Sequence, residues 1–333
     1  MILAISALLA LTRCENETTP ENPKGPLVLS ETRDLMGTTV TIVVAESEGL
    51  DEAKIKSAIS AAFDRISRVE KAASIYIPSS DISRVNVSAG QKVEVSDEIY
   101  RIVKMSLDVA KNTDGAFDIT VGPLVEYWKS VQVTGKGPDE EKIKELLTRV
   151  GYDKVEISDE GGKKYIRLAQ EGMRLDLGGI AKGYAVDRAI DTLREHGVKD
   201  GWVEAGGDVR AIGNYGDSEG WAVEARHYAG LPRTFDRWIM HDWSVATSSD
   251  YERGFSVGTV RYSHIIDPHT GWALTRLSSA SAFAPDCATA DALATAVSVL
   301  GAEKGREIVE KNFSGCDFVD VTYTAGSRRL MAP

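Results

Sequence analysis

Asp291 and Thr295 stand four residues apart in the run Ala288–Leu300 (ATADALATAVSVL). Helical spacing puts both side chains on one face, one turn apart. A carboxylate and a hydroxyl are hard oxygen donors suited to Mg²⁺, an ion that keeps water or substrate phosphates in its other positions. A backbone carbonyl from Gly178-Gly179 would complete a protein half-shell. The plainer reading of the pair is a capping or buried hydrogen bond in an Ala-rich helix. His264 and His269 flank Asp267-Pro268. An imidazole at such a turn can take a proton from a reacting hydroxyl, or can simply brace the loop. The third group is Asp176-Leu177-Gly178-Gly179-Ile180-Ala181-Lys182-Gly183-Tyr184-Ala185. Its glycines let backbone approach a ligand that a Cβ would hold off, and the helix start offers unpaired N–H groups to an anion. Lys182 adds positive charge there, unless it is a solvated lysine beside an ordinary turn. The spacing is wrong for a P-loop, and no Gly-x-Ser-x-Gly elbow or dinucleotide fingerprint occurs.

Strands and helices must hold these groups in place. Tyr165–Leu168 and then Met173–Leu175 read as a hairpin or strand pair delivering the chain to Asp176, with a helix from Tyr184 to His196-Gly197. Thr38–Ala45 is a β-branched run consistent with a buried strand. Ile55, Ile59, Ala62, Phe63, Ile66 and Val69 mark one face of a helix over 51–74. A second helix runs from Ile99 to Lys111 with Ser96 as cap, and a third starts at Pro138 and stops at Gly151. Between them, Thr113–Pro123 reads as a shaped loop or an ordinary connection, closed by Gly122-Pro123. Gly201–Val209 is a strand entering a second Gly-Gly-Asp turn. Short apolar runs at 221–225, 238–241, 244–247 and 259–266 make the central part β-rich. A strand at 279–284, helices at 288–300 and 303–312 and a final strand at 318–323 complete the pattern. Interleaving without a strict βαβ rhythm favours an α+β fold with flanking helices, in one domain over 27–333.

With 333 residues, 43% hydrophobic and 27% charged, the chain can bury a large core. Its formal charge of -11 argues against a phosphate-backbone binder, since no basic stripe is offered. A bound nucleotide would need a cation to help hold it. Three cysteines and five histidines supply neither a disulfide framework nor a zinc cluster. Met1–Thr12 is apolar, too short to cross a bilayer and long enough for the core of a signal peptide. Leu11-Thr12-Arg13-Cys14 is lipobox-like, with Arg13 where a small residue is usual. Residues 15–26 are polar and Pro-rich, a flexible tether. The expectation is export, with Cys14 as lipid anchor.

Several segments carry a resemblance in order and spacing: Met36-Gly37-Thr38, Tyr76 with Pro78 and Ser80, and Asp114-Gly115-Ala116-Phe117-Asp118. After them come Asp176 to Asp187, Ala205-Gly206-Gly207-Asp208, Ser263 to Pro268, and Ala290 to Ala296. Together they resemble the ApbE family, the FAD:protein FMN transferases. The resemblance implies an exported, Mg²⁺-dependent α+β enzyme. Such an enzyme transfers the FMN half of FAD to a threonine hydroxyl of an acceptor protein and releases AMP. It implies acceptors among membrane redox complexes of the Rnf or sodium-pumping NADH:quinone reductase type, at the periplasmic face of the inner membrane. By position, Met36, Tyr76, Ala116, Phe117, Asp118, Asp176 and Lys182 look like flavin-nucleotide contacts. Gly179, Asp291 and Thr295 look like the Mg²⁺ site, and His264 matches a catalytic histidine. His269 stands where Arg or Gln is usual and receives no role. The alternatives are a Mg²⁺-dependent FAD pyrophosphatase giving FMN and AMP, or a flavin-binding lipoprotein without turnover. Tyr76 favours transfer among these.

Overall fold

The computed structural model describes residues 28–46, 49–226, 235–249, 254–276, 278–324 and 327–331. The apolar segment 1–14 with Cys14 and the tether at 15–26 lie outside the described residues.

The chain opens with the antiparallel pair β1 (Val28–Leu35) and β2 (Thr38–Ala45). Val40, Ile42 and Val44 of β2 enter one core cluster, whereas Val43 and Ala45 enter another. Burial on both faces explains why this strand is a continuous apolar run. Helix α1 (Glu52–Ala73), capped by Asp51, lays Ile55, Ile59, Phe63, Ile66 and Val69 onto the first cluster. Then come α2 (Asp81–Val87), β3 (Lys92–Val95) and α3 (Asp97–Asn112), with Ser80 and Ser96 accepting the capping N–H bonds.

Helix α4 (Gly122–Thr134) runs where the sequence signalled a stop. Gly122-Pro123 opens the helix, because a proline in the first turn loses no needed N–H. Helix α5 (Glu140–Leu147) follows. A three-stranded sheet in the order β3-β5-β4 comes from β4 (Val155–Glu160) and β5 (Lys163–Leu168). The expected strand pair is corrected here. Tyr165–Leu168 pairs with 155–158 rather than 173–175, since Gly161 and Gly162 hold φ of 63° and 89° and make the two-residue turn. Arg174 makes one isolated bridge, to Val121.

Helix α6 (Ala181–Glu195) begins three residues earlier than the spacing suggested. What read as one strand over 201–209 is a hairpin, β6 (Gly201–Ala205) and β7 (Asp208–Ile212), turning at Gly206-Gly207. After β8 (Trp221–Arg226), β9 (Phe235–Met240) and β10 (Trp243–Ser249) come the short β11 (Phe255–Val257) and β12 (Val260–Tyr262). The strand expected over 259–266 thus stops at Tyr262. Beyond it Ile266 makes a single bridge to Ala273, and Asp267 and Gly271 close a turn around Pro268. β13 (Ser278–Ala284), α7 (Cys287–Leu300), α8 (Ala302–Asn312) and β14 (Asp317–Thr324) follow the expectation. One more strand, β15 (Ser327–Met331), then pairs with β14.

The main sheet has the order β1-β2-β6-β7-β10-β13-β14-β15. Helices α1, α6 and α7 contribute to the first core cluster with β2 and β6, so the architecture is the α+β layering expected. Contact between α6 and α7 is unusually close. A Cβ on Gly183 would sit 2.2 Å from the Cys287 carbonyl oxygen. Asp187 of the same helix accepts the N–H groups of Cys287 and Ala288, each at 2.9 Å, and so clasps the start of α7. A separate cluster joins α4 and α5 to Tyr262 and Ile266, with Trp128 donating to the Gly271 carbonyl at 2.9 Å.

Candidate active site

A cleft of about 1010 Å³ opens beside the ends of these elements. Met36, Tyr76, Ala116, Phe117, Asp118, Asp176, Gly179, Lys182, His264, Asp291 and Thr295 all line it. Residues as far apart in sequence as Met36 and Thr295 therefore share one cavity.

The deepest part is built on α6 and α7. Asp291 is 3% exposed, and its Oδ2 accepts the Gly183 N–H at 3.2 Å. One turn on, the Thr295 hydroxyl lies 3.4 Å from that of Ser248 on β10. A Cβ on Gly179 would fall 3.0 Å from Thr295 Oγ1 and 3.2 Å from Phe117, so only glycine lets this backbone reach the pair. Carboxylate, hydroxyl and close backbone form an all-oxygen donor set that fits a hard divalent cation. Among the described residues no group of three or more His, Cys, Asp or Glu could hold a metal. Substrate oxygens and water would have to complete the shell.

Lys182 is not solvated. Its Nζ lies 2.6 Å from Asp208 Oδ2 and 3.3 Å from Asp291 Oδ2. Burial works against its charge, but Asp208 and Asp291 outweigh that and lift the ammonium pKa above the ordinary lysine range. Burial, and after it the charge of Asp291, push the Asp208 carboxyl well above the usual carboxylate range despite Lys182. Two buried acidic groups crowd one ammonium here, and a cation in the cleft would favour the ionised form of both.

The loop at 113–118 is tied down by its own polar groups. Asp118 Oδ1 accepts from the N–H and hydroxyl of Thr120, and Oδ2 accepts from the Tyr152 N–H at 2.8 Å. Burial still raises its pKa, against these bonds. The Asp118 oxygens thus serve the loop as well as facing the cleft. Asp176 Oδ1 accepts the Gly178 N–H at 2.8 Å and shapes the glycine turn. Met36 has a positive φ of 57°, and its N–H donates to Glu70 Oε1 at 2.8 Å. Tyr76 stands at the rim, 78% exposed, with Lys129 Nζ donating to its hydroxyl at 2.9 Å.

His264 is exposed at the cleft wall, on a segment pinned by backbone bonds between Ser263 and Leu274, Leu274 and Ile265, and Asp267 and Trp272. His269 braces the turn. Its Nε2 is 2.8 Å from the Asp114 carbonyl and its Nδ1 is 3.2 Å from Asp267 Oδ1, which joins this turn to the 113–118 loop.

Sequence reasoning gave no role to Asp208, Glu70, Ser248, Trp128 or Lys129. Asp208 was visible in the Ala-Gly-Gly-Asp block. Trp128 and Lys129 sit on α4, whose opening Gly122-Pro123 reads in the sequence as a stop. Cys287 and Cys316 are both free thiols, Cys287 being buried, so they do not pair. No helix among the described residues is long and apolar enough to cross a membrane.

These features define an α+β enzyme in which oxygen donors for a hard cation and an imidazole face one large cleft. The chain belongs to the ApbE family, whose profile matches residues 36–319. It is 35% identical over 279 residues to the FAD:protein FMN transferase of Treponema pallidum, covering 80% of this chain and 77% of that one. Identity to the FAD:protein FMN transferase of Vibrio cholerae is 31% over 323 residues, covering 93% and 90%. Among solved structures, apo flavinyl transferase ApbE from Pseudomonas stutzeri superposes with a TM-score of 0.78 at 27% identity, over 92% of this chain and 95% of that chain. The ApbE protein of Thermotoga maritima gives 0.78 at 35% identity, over 89% and 94%.

Proposed function

We propose that the chain, a flavin transferase by family, moves FMN from FAD to a threonine hydroxyl of an acceptor protein with Mg²⁺ as its cation. The observation that carries this reading is the meeting of Asp291, Thr295, Gly179 and His264 in one cleft of about 1010 Å³, room enough for a dinucleotide. Asp291, the Thr295 hydroxyl and the Gly179 backbone are the residues that would hold Mg²⁺. Such an ion, when bound, neutralises diphosphate charge and polarises the phosphorus under attack.

The chain's own part is positioning and proton transfer, which phosphoryl transfer needs more than covalent help. Met36, Ala116, Phe117 and Asp176 border the flavin nucleotide. Asp118 keeps their loop in shape, and Tyr76 covers the rim. The threonine oxygen attacks the FMN-side phosphorus and forms the new phosphoester as the bond to the AMP oxygen breaks. His264 takes the hydroxyl proton, and AMP departs with the electron pair of the broken bond.

The acceptor fits a subunit of a membrane redox complex of the Rnf or sodium-pumping NADH:quinone reductase type. Export, with Cys14 as lipid anchor and 15–26 as tether, would keep the cleft close to such a partner at the periplasmic face.

The test is incubation with FAD and Mg²⁺, with and without an acceptor domain bearing the threonine. Covalent flavin on the acceptor is the expected result. Free FMN and AMP without acceptor, and no labelled protein with it, would establish a pyrophosphatase instead. FAD recovered unchanged in both arms would leave a binding protein.

A further inference from the structure

We propose that Asp208 is a positioning residue for the divalent cation: by engaging the Lys182 ammonium, it keeps the Asp291 carboxylate available to the ion. This rests on the assignment of Asp291 as a cation ligand. Asp208 is 1% exposed and is not among the residues lining the cleft, whereas Lys182 and Asp291 both line it. The shortest contact of Lys182 Nζ is to Asp208, at 2.6 Å, against 3.3 Å and 3.5 Å to the two Asp291 oxygens. The lysine side chain is only 15% exposed, so water is a poor substitute for these partners. A buried ammonium requires a counter-charge. With Asp208 made neutral, Asp291 is the carboxylate left within hydrogen-bond distance, Glu204 acting on the lysine only from farther away, and the lysine settles on the carboxylate that the cation needs. Lys182 then competes with the ion.

The backbone holds Asp208 for this task. It is the first residue after the Gly206-Gly207 turn, paired in register with Ala205. A Cβ on Gly206 would meet Thr38 Oγ1 at 2.8 Å, so the turn is wedged against the start of β2. Asp208 therefore draws on the sheet for its position, and Asp291 on α7. The lysine between them, from α6, is shared by two rigid elements. Replacing a residue that orients a metal ligand from outside the coordination shell weakens metal binding by roughly 10–100-fold.

The test titrates Mn²⁺, a paramagnetic stand-in for Mg²⁺, into the FAD-free full chain and follows the signal of free Mn²⁺. Asp208→Asn should weaken binding by about 10-fold or more. Adding Lys182→Met to Asp208→Asn removes the competitor and should restore affinity to within a few-fold of the parent. The inference is overturned if Asp208→Asn binds Mn²⁺ like the parent, or if the double variant stays as weak as the single one. Should Asp208→Asn fail to fold, Lys182→Met alone decides: it should bind at least as tightly as the parent, and a tenfold loss overturns the inference. Asp291→Ala separates this from the underlying assignment. Undiminished Mn²⁺ binding in Asp291→Ala overturns the cation site itself. Lost binding there, with Asp208→Asn unaffected, overturns only the role of Asp208.

Discussion

Gly183→Ala is the most demanding test of how the proposed cation site is built, because it adds one methyl group without altering any of the proposed ligands. That methyl would lie 2.2 Å from the Cys287 carbonyl oxygen, 2.6 Å from its carbon and 2.9 Å from the Ala288 nitrogen. All three are backbone atoms, so no side chain can swing away. Reaching an ordinary contact of 3.4 Å requires α6 and α7 to part by about 1.2 Å at this point. Overpacking of this kind costs about 1–3 kcal/mol. The same movement stretches the bonds from Cys287 and Ala288 to Asp187, each 2.9 Å, and hydrogen bonds to a charged acceptor are worth about 1.5–3 kcal/mol. A total near 3 kcal/mol lowers the Tm of a chain this long by roughly 4–5 °C. Asp291 begins the next turn of α7 and its Oδ2 accepts the Gly183 N–H, so it moves with the helix. A misplacement of about 1 Å costs on the order of 100-fold in rate. Calorimetry and the rate of FMN transfer read the two effects. Gly137→Ala, with nothing within 4 Å of the added methyl, is the control and should change neither. If Gly183→Ala melts within about 1 °C of the parent and transfers FMN at the parental rate, the packing argument fails.

Asp291→Ala should abolish cation-dependent transfer, measured as covalent flavin on the acceptor, while FAD-free protein still melts cooperatively. His264→Ala should lower kcat by about 100- to 10,000-fold with the KM for FAD little changed; an unaltered kcat removes it as the base. Asp118 gives a pH prediction. Burial raises its carboxyl pKa, so the folded chain binds this proton more readily than the unfolded one, and stability falls as pH rises above the ordinary aspartate value of 3.8. In melts of FAD-free protein, the Tm of the parent minus that of Asp118→Asn should therefore shrink as pH climbs from about 4. A gap that is flat or that widens refutes the cause given.

Helical faces could be read with little error, since residues such as Ile55, Ile59 and Phe63 repeat with the period of a helix and had one core to meet. That Asp291 and Thr295 sit one turn apart on one helix could be read for the same reason. Pairing partners of strands were harder. Tyr165–Leu168 had apolar candidates on both sides, and the choice was made by the backbone of Gly161-Gly162 rather than by side chains. Gly122-Pro123 misled because the same two residues can follow a helix or open one, depending on what comes after. Asp208 could be seen but not understood. Its meaning lies in a lysine 26 positions away and a carboxylate from another helix, and such three-way burial leaves no periodic trace.

The walls of the cleft come from Met36 near one end of the described chain and Thr295 near the other. No contiguous fragment can contain a working half of it. The strands of the main sheet are likewise drawn from both ends of the described chain, with β1 beside β2 at one edge and β15 beside β14 at the other. A chain cut short before α7 would keep Met36 and Lys182 yet lack Asp291 and Thr295, leaving the cleft without one of its walls.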